Sequence, residues 1–145
     1  MFSPRCAHRW FSASTSNMAH PSASSTILYK VLTDDEFTSL PLPPTLWRGT
    51  AFDRSTSPAI VHLAASTQVA ATITELYHDH SSLWILAIPR TPRIDAWLRW
   101  DGPFDGCAHV HLPADEGIDV WSEVAIRRPV KKGEDGQWDL GELEW

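Results

Sequence analysis

The chain has two cysteines, two tyrosines and a single asparagine, Asn17, in 145 residues. The cysteines, Cys6 and Cys107, are too few for a disulfide framework, and the composition around Cys6 sets it apart from the rest. A reducing compartment fits that usage. No apolar run approaches the ~20 residues a membrane-spanning helix needs, so a transmembrane helix is not expected. No G-x-S-x-G elbow, P-loop or G-x-G-x-x-G fingerprint occurs, which removes the usual sequence marks of esterases, P-loop NTPases and Rossmann enzymes. Acids are missing from the first 33 residues. All eighteen lie beyond, against nine of the twelve Lys and Arg. An acidic body is a poor phosphate surface, because nucleic-acid binding rests on Lys and Arg neutralising the backbone. DNA or RNA partners are therefore not expected, although Arg90, Arg93 and Arg99 leave room for a local basic pocket.

The hydrophobic fraction, 43%, is enough for one core at this length and too little for two. Residues 1–26, rich in Ser and Ala and bearing Arg, have the composition of a mitochondrial presequence. Arg9-Trp10-Phe11-Ser12 looks like a matrix-peptidase site. A disordered tail with an internal start at Met18 is the alternative. The mitochondrial matrix and the cytoplasm are the expected locations. Residues 27–130 read as one α+β domain, and 131–145 as an acidic, peripheral tail.

Within the domain, Ile27 to Leu32 reads as a strand. Thr33-Asp34-Asp35-Glu36 is a capping box that opens a short helix, stopped by Pro41, Pro43 and Pro44. Trp47 to Pro58 reads as irregular. Val69, Ile73, Leu76 and Tyr77 share one helical face after Ser66 or Thr67. Leu83 to Ile88 is a continuous apolar run, a strand buried on both sides. Further strands are expected at Ile94–Trp100, Ala108–Leu112 and Val120–Ile126, with a peripheral chain after Arg127-Arg128-Pro129.

The chemistry concentrates on imidazoles in apolar runs. His62 ends Ala59-Ile60-Val61-His62-Leu63, just before a helix. It could face a ligand or be satisfied by backbone. His109 and His111 are two apart, so a strand would put both on one face. With Glu116 they give H-x-H-x(4)-E, similar to the first metal motif of the cupin barrels. The glycines that flank that motif and the whole second cupin motif are missing, so no metal ligand is assigned. Arg99-Trp100 could grip an anion and stack on a flat ring, or be an exposed Arg beside a core Trp. His78 and His80 sit at a helix C-terminus, where a cation meets the negative dipole end. Cys107 has no sequence context that would lower its pKa.

Taken together, Tyr29-Lys30, Trp47, Gly49-Thr50, Asp53, Ala59 to Thr67 with Gln68-Val69, Leu98-Arg99-Trp100-Asp101 and Cys107 to His111 resemble the bacterial, plant and fungal family known as domain of unknown function 952. The resemblance covers about residues 27–130. It implies a curved, split mixed sheet flanked by short helices, similar to the ADP-ribosyltransferase fold. It implies NAD or an ADP-ribose-like nucleotide as ligand and, by analogy of fold, ADP-ribose transfer. The ligand contacts it implies are Tyr29, Trp47, Thr50, Asp53, His62, Arg99, Trp100 and His109. His62 would hydrogen-bond a ribose or phosphate. A carboxylate facing the developing positive charge would be Glu123 or Asp101. The sequence departs from the family at Ala64 and Ala65, where Ser and Thr are usual, and at Ala59, Cys107, Ala108 and His111. Loss of those hydroxyls fits a second reading, a non-catalytic sensing or interaction domain that kept the fold. A third is a cupin-like metal enzyme.

Overall fold

The apolar run in the middle of the chain organises the structure. In the computed structural model, which describes residues 25–101 and 106–143, it is β3 (Ser82–Pro89), with Leu83 and Ile85 to Ile88 all shielded from solvent. A strand apolar on both faces must be covered on both faces. It lies between β1 (Ile27–Leu32) and β6 (Ile126–Lys131), antiparallel to each. A second three-stranded sheet orders β2 (Ile60–Leu63), β5 (Cys107–His111) and β4 (Leu98–Asp101), again antiparallel. The sheets meet where Tyr29 N donates to Ala64 O at 2.7 Å and Ala64 N to Tyr29 O at 2.8 Å.

The architecture is α+β, but among the described residues every strand pairing is antiparallel, so the sheet is not mixed. Parallel neighbours need a crossover of a dozen or more residues, usually a helix. The α-helices here are short: α1 (Asp34–Thr38), α2 (Ala51–Arg54), α3 (Val69–Leu76, after a 3-10 turn at Ser66–Gln68) and α4 (Pro92–Trp97). None is long and apolar enough to cross a membrane.

Two clusters fill the interior. The first joins Leu28, Leu32, Leu86 and Ile88 of the first sheet to Val61, Leu63, Val110 and Leu98 of the second. The other puts Tyr29, Val31, Ile85 and Ala87 under Val69 and Ile73 of α3. The period of two in a strand makes this division. It leaves the opposite face of the second sheet to His62, Arg99, Asp101, His109 and His111.

Several expectations from the sequence are corrected. Residues 50–54 are not irregular: Thr50 caps α2, and its hydroxyl accepts from Asp53 N. Residues 92–97 are helix, because Thr91 caps Ile94 N and Pro92 occupies the first turn, where its missing donor costs nothing. Only Leu98–Asp101 is strand. Val120 to Ala125 is not a strand, since Asp119 Oδ1 draws the amides of Trp121 and Ser122 into a turn. The strand starts at Ile126, where the expected one was to end, and runs through Arg127-Arg128-Pro129 to Lys131. Pro129 is tolerated because β6 is an edge strand. Beyond it, Trp138, Leu140 and Leu143 pack on the second cluster, so residues 131–143 are not a free tail. Ser25 O and Thr26 O accept from Arg90. The remainder of the expected presequence lies outside the described residues.

Leu86, at the centre of β3, reaches the cluster shared by both sheets. Leu86→Ala should cost about 2–5 kcal/mol, read as a lower urea midpoint with an unchanged m-value.

Candidate functional site

The site begins at a backbone constraint. Gly49 has φ +94°, and a Cβ there would lie 2.5 Å from Asp53 Cβ. Only glycine allows this approach. Thr50 then caps α2, and the helix delivers Asp53 to a position with no solvent exposure. A buried carboxylate must be satisfied, and Asp53 collects four donors. Its Oδ2 accepts from Lys30 Nζ at 2.8 Å and Thr50 N at 2.9 Å. Its Oδ1 accepts from His62 Nδ1 at 2.6 Å and His62 N at 3.2 Å. Lys30, also buried, donates to His62 O at 2.9 Å.

Burial by itself would raise the Asp53 pKa. The Lys30 charge, with the His62 and Lys30 hydrogen bonds, outweighs it and holds the carboxyl far below its usual range. His62 is pushed below the ordinary imidazole value, chiefly by burial, with Lys30 and His109 adding to the effect and Asp53 opposing it. The neutral ring donates from Nδ1 to Asp53, so Nε2 carries the lone pair.

His109 is the direct cross-strand neighbour of His62, with ring centroids 4.7 Å apart. Burial pulls its pKa down, but the Cys107 sulfur and the Asp101 carboxylate overcome that and raise it. Its Nδ1 meets Asp101 Oδ1, and the other oxygen of Asp101 lies 3.0 Å from His111 Nε2. Asp101, His109 and His111 thus present three donor atoms within 4.8 Å of one another.

His62 and His109 line a cavity of about 430 Å³ together with Tyr29, Lys30, Thr50 and Phe52. Glu36, Glu75, Tyr77, His78 and Asp79 also line it. Of the residues expected to bind ligand, Tyr29, Thr50, His62 and His109 are brought together here, with Asp53 directly behind His62. Trp47 is packed in the first core cluster. It borders a separate hollow with Arg48 and Arg54. Arg99 is exposed, opposite His109 in register but outside the cavity lining. Trp100 points to the other face and packs on the core. Glu123 does not join the cavity either. It binds Arg93 Nη1 at 2.6 Å and the Asp119 amide at 2.8 Å, which stabilises the turn before β6. Glu116 also pairs with Arg93, so the carboxylate beside His109 and His111 is Asp101.

Sequence reasoning passed over Lys30, Phe52, Tyr77, Glu36 and Glu75. A signal existed for Lys30 alone: a lone lysine inside an apolar strand requires a buried carboxylate.

No protein-family profile matches the sequence, and neither does any curated protein. Three solved structures share the fold. A crystal structure of protein CC0527 from Caulobacter crescentus aligns with TM-score 0.60 at 23% identity, covering 80% of this chain and 96% of that one. A double mutant of the same protein gives 0.60 at 24%, with the same coverage. Its solution structure gives 0.59 at 23%, over 77% and 90%. Identity at this level speaks for the fold and not for the activity.

Asp53→Asn leaves Lys30 buried without its counter-charge and should cost about 3–5 kcal/mol at neutral pH. The depressed Asp53 pKa means the unfolded chain binds the proton more readily. Its contribution is complete above about pH 4 and is lost as pH falls further. Urea titrations between pH 2 and pH 7 should show a steep acid loss in the wild type that is reduced in Asp53→Asn.

Proposed function

We propose that the cavity binds NAD or a related ADP-ribose-bearing nucleotide and that its chemistry is ADP-ribose transfer on an ADP-ribosyltransferase-like scaffold. One observation carries this reading. His62 is clamped by Nδ1 on a buried carboxylate and lines a cavity of about 430 Å³ walled by Tyr29, Phe52 and Tyr77. That size lies within the range of small-molecule and cofactor sites, which combine apolar walls with a few fixed polar groups. An oriented imidazole with an open Nε2 suits a ribose hydroxyl or phosphate oxygen, and aromatic walls suit a flat heterocycle. Two three-stranded sheets meeting edge to edge are compatible with the split scaffold.

The wall also carries Glu36 and Glu75. Carboxylates favour the cationic nicotinamide of NAD over its neutral reduced form. This reading assigns them, in place of Glu123 or Asp101, to the positive charge that develops on the ribose as nicotinamide departs. His62 orients the ribose, and the apolar walls exclude competing water.

Ala64 favours a second reading. It lines the cavity where the resembled family carries a hydroxyl, so the domain would bind the nucleotide without turning it over.

Calorimetric titration should give saturable NAD binding that is at least tenfold weaker in His62→Ala, and weaker for NADH than for NAD. Absence of binding to folded protein at millimolar nucleotide would overturn the proposal. Chromatographic detection of released nicotinamide separates the two readings: binding with turnover supports transfer, and binding without turnover supports the second.

A further inference from the structure

We propose that the polar face of the second sheet holds a divalent transition-metal ion, with Asp101, His109 and His111 as ligands. The inference is independent of nucleotide binding.

The sequence and register dictate the placement. Cys107, His109 and His111 alternate along β5, so all three point to one face. Asp101, on β4, is the direct cross-strand partner of Cys107, which puts its carboxylate on that same face. The structure closes the set. Asp101 Oδ1 reaches His109 Nδ1, Asp101 Oδ2 lies 3.0 Å from His111 Nε2, and all three donor atoms fall within 4.8 Å of one another. Two imidazoles two apart on a strand, with a carboxylate from the neighbouring strand, form a convergent N, N, O set. Cys107, buried on the same face, lies outside that convergent set. Zinc is four-coordinate with two imidazoles, a carboxylate and a water in the fourth position, and cobalt(II) adopts the same geometry.

Access and support also fit. His109 and Cys107 are buried, whereas the side chains of His111 and Asp101 are 29% and 41% exposed. An ion would therefore enter from the solvent side of His111 and Asp101 and rest against the buried His109. His109 belongs both to the donor set and to the cavity lining. Its ring packs edge-on against His62, which Asp53 fixes from behind. An ion bound here would be one imidazole away from whatever occupies the cavity.

The test uses the full chain, stripped by dialysis against a chelator and titrated with zinc by calorimetry and with cobalt(II) by absorption. One equivalent should bind. Cobalt should produce the visible d–d bands of a four-coordinate ion. His111→Ala lies outside the cavity lining. It should weaken zinc binding at least tenfold and leave nucleotide binding unchanged, so failure of the metal site and failure of the nucleotide reading are distinguishable. Asp101→Asn should weaken zinc to a similar degree, with the fold checked by circular dichroism. His80→Ala removes a histidine from the separate turn after α3 and should bind as the wild type does. No saturable binding, or equal affinity in wild type, His111→Ala and Asp101→Asn, would overturn the proposal. Loss of binding in His80→Ala alone would assign the ion to that turn and overturn it as well.

Discussion

A buried ion pair between Lys30 and Asp53 is the constraint on which the rest of the site depends. Both groups are out of water, and transfer of either charge alone into the interior would be prohibitive. The pair persists because both groups have further partners: Thr50 N, His62 N and His62 Nδ1 on the carboxylate, and His62 O on the ammonium. Three elements are tied at that point, β1 through Lys30, α2 through Asp53 and β2 through His62. Two of them, β1 and β2, also flank the join between the sheets, since Tyr29 and Ala64, which pair across it, are the immediate neighbours of Lys30 and Leu63. Support for the fold and orientation of the imidazole are thus one set of bonds. Gly49 is part of it, because a side chain there would collide with the carboxylate it helps to seat.

The second sheet shows how one residue type acquires two characters on a single face. His62 and His109 are opposed in register and both largely buried, yet their pKa values move apart. The difference lies in their carboxylates. Asp53 has already spent its charge on Lys30, and the nearby ammonium disfavours a second cation, so burial wins at His62. Asp101 has no lysine partner, and with the Cys107 sulfur it favours the charged form of His109. Neighbouring imidazoles whose pKa values are pushed apart are the usual raw material of acid–base sites.

Much of the fold was legible because its signals are local. The apolar run at Leu83–Ile88 reads most simply as a strand covered on both faces, and Thr33 to Glu36 as a capping box that opens a helix. The i, i+2 spacing of His109 and His111 fixed their common face once β5 existed. Errors arose where a local cap competed with an apolar pattern, as at Thr91-Pro92 before the helix that precedes Leu98. They also arose where tertiary pairing overrode composition: a basic, proline-bearing segment becomes β6 because β3 offers it an open edge. The site was half readable for the same reason. His62, Asp53 and Thr50 stand in a recognisable order, but nothing in the order shows that Lys30 closes the ion pair. Nor does it show that Asp101, and not Glu116, faces the two histidines.

The placement of chemistry on the second sheet follows from how stability is distributed. β3, buried on both faces and paired on both sides, is the rigid element. β2 and β4 have four residues each and are covered by the core on one face only. Elements with fewer buried contacts open at lower free-energy cost, and a site that must admit a ligand is better built there than on β3. Precision would suffer if the side chains were equally loose. The carboxylates prevent this, since His62 is fixed by a group anchored in α2 and His109 by one on β4. The backbone of the site can yield while its imidazoles keep their orientation, because what holds each ring comes from an element other than its own.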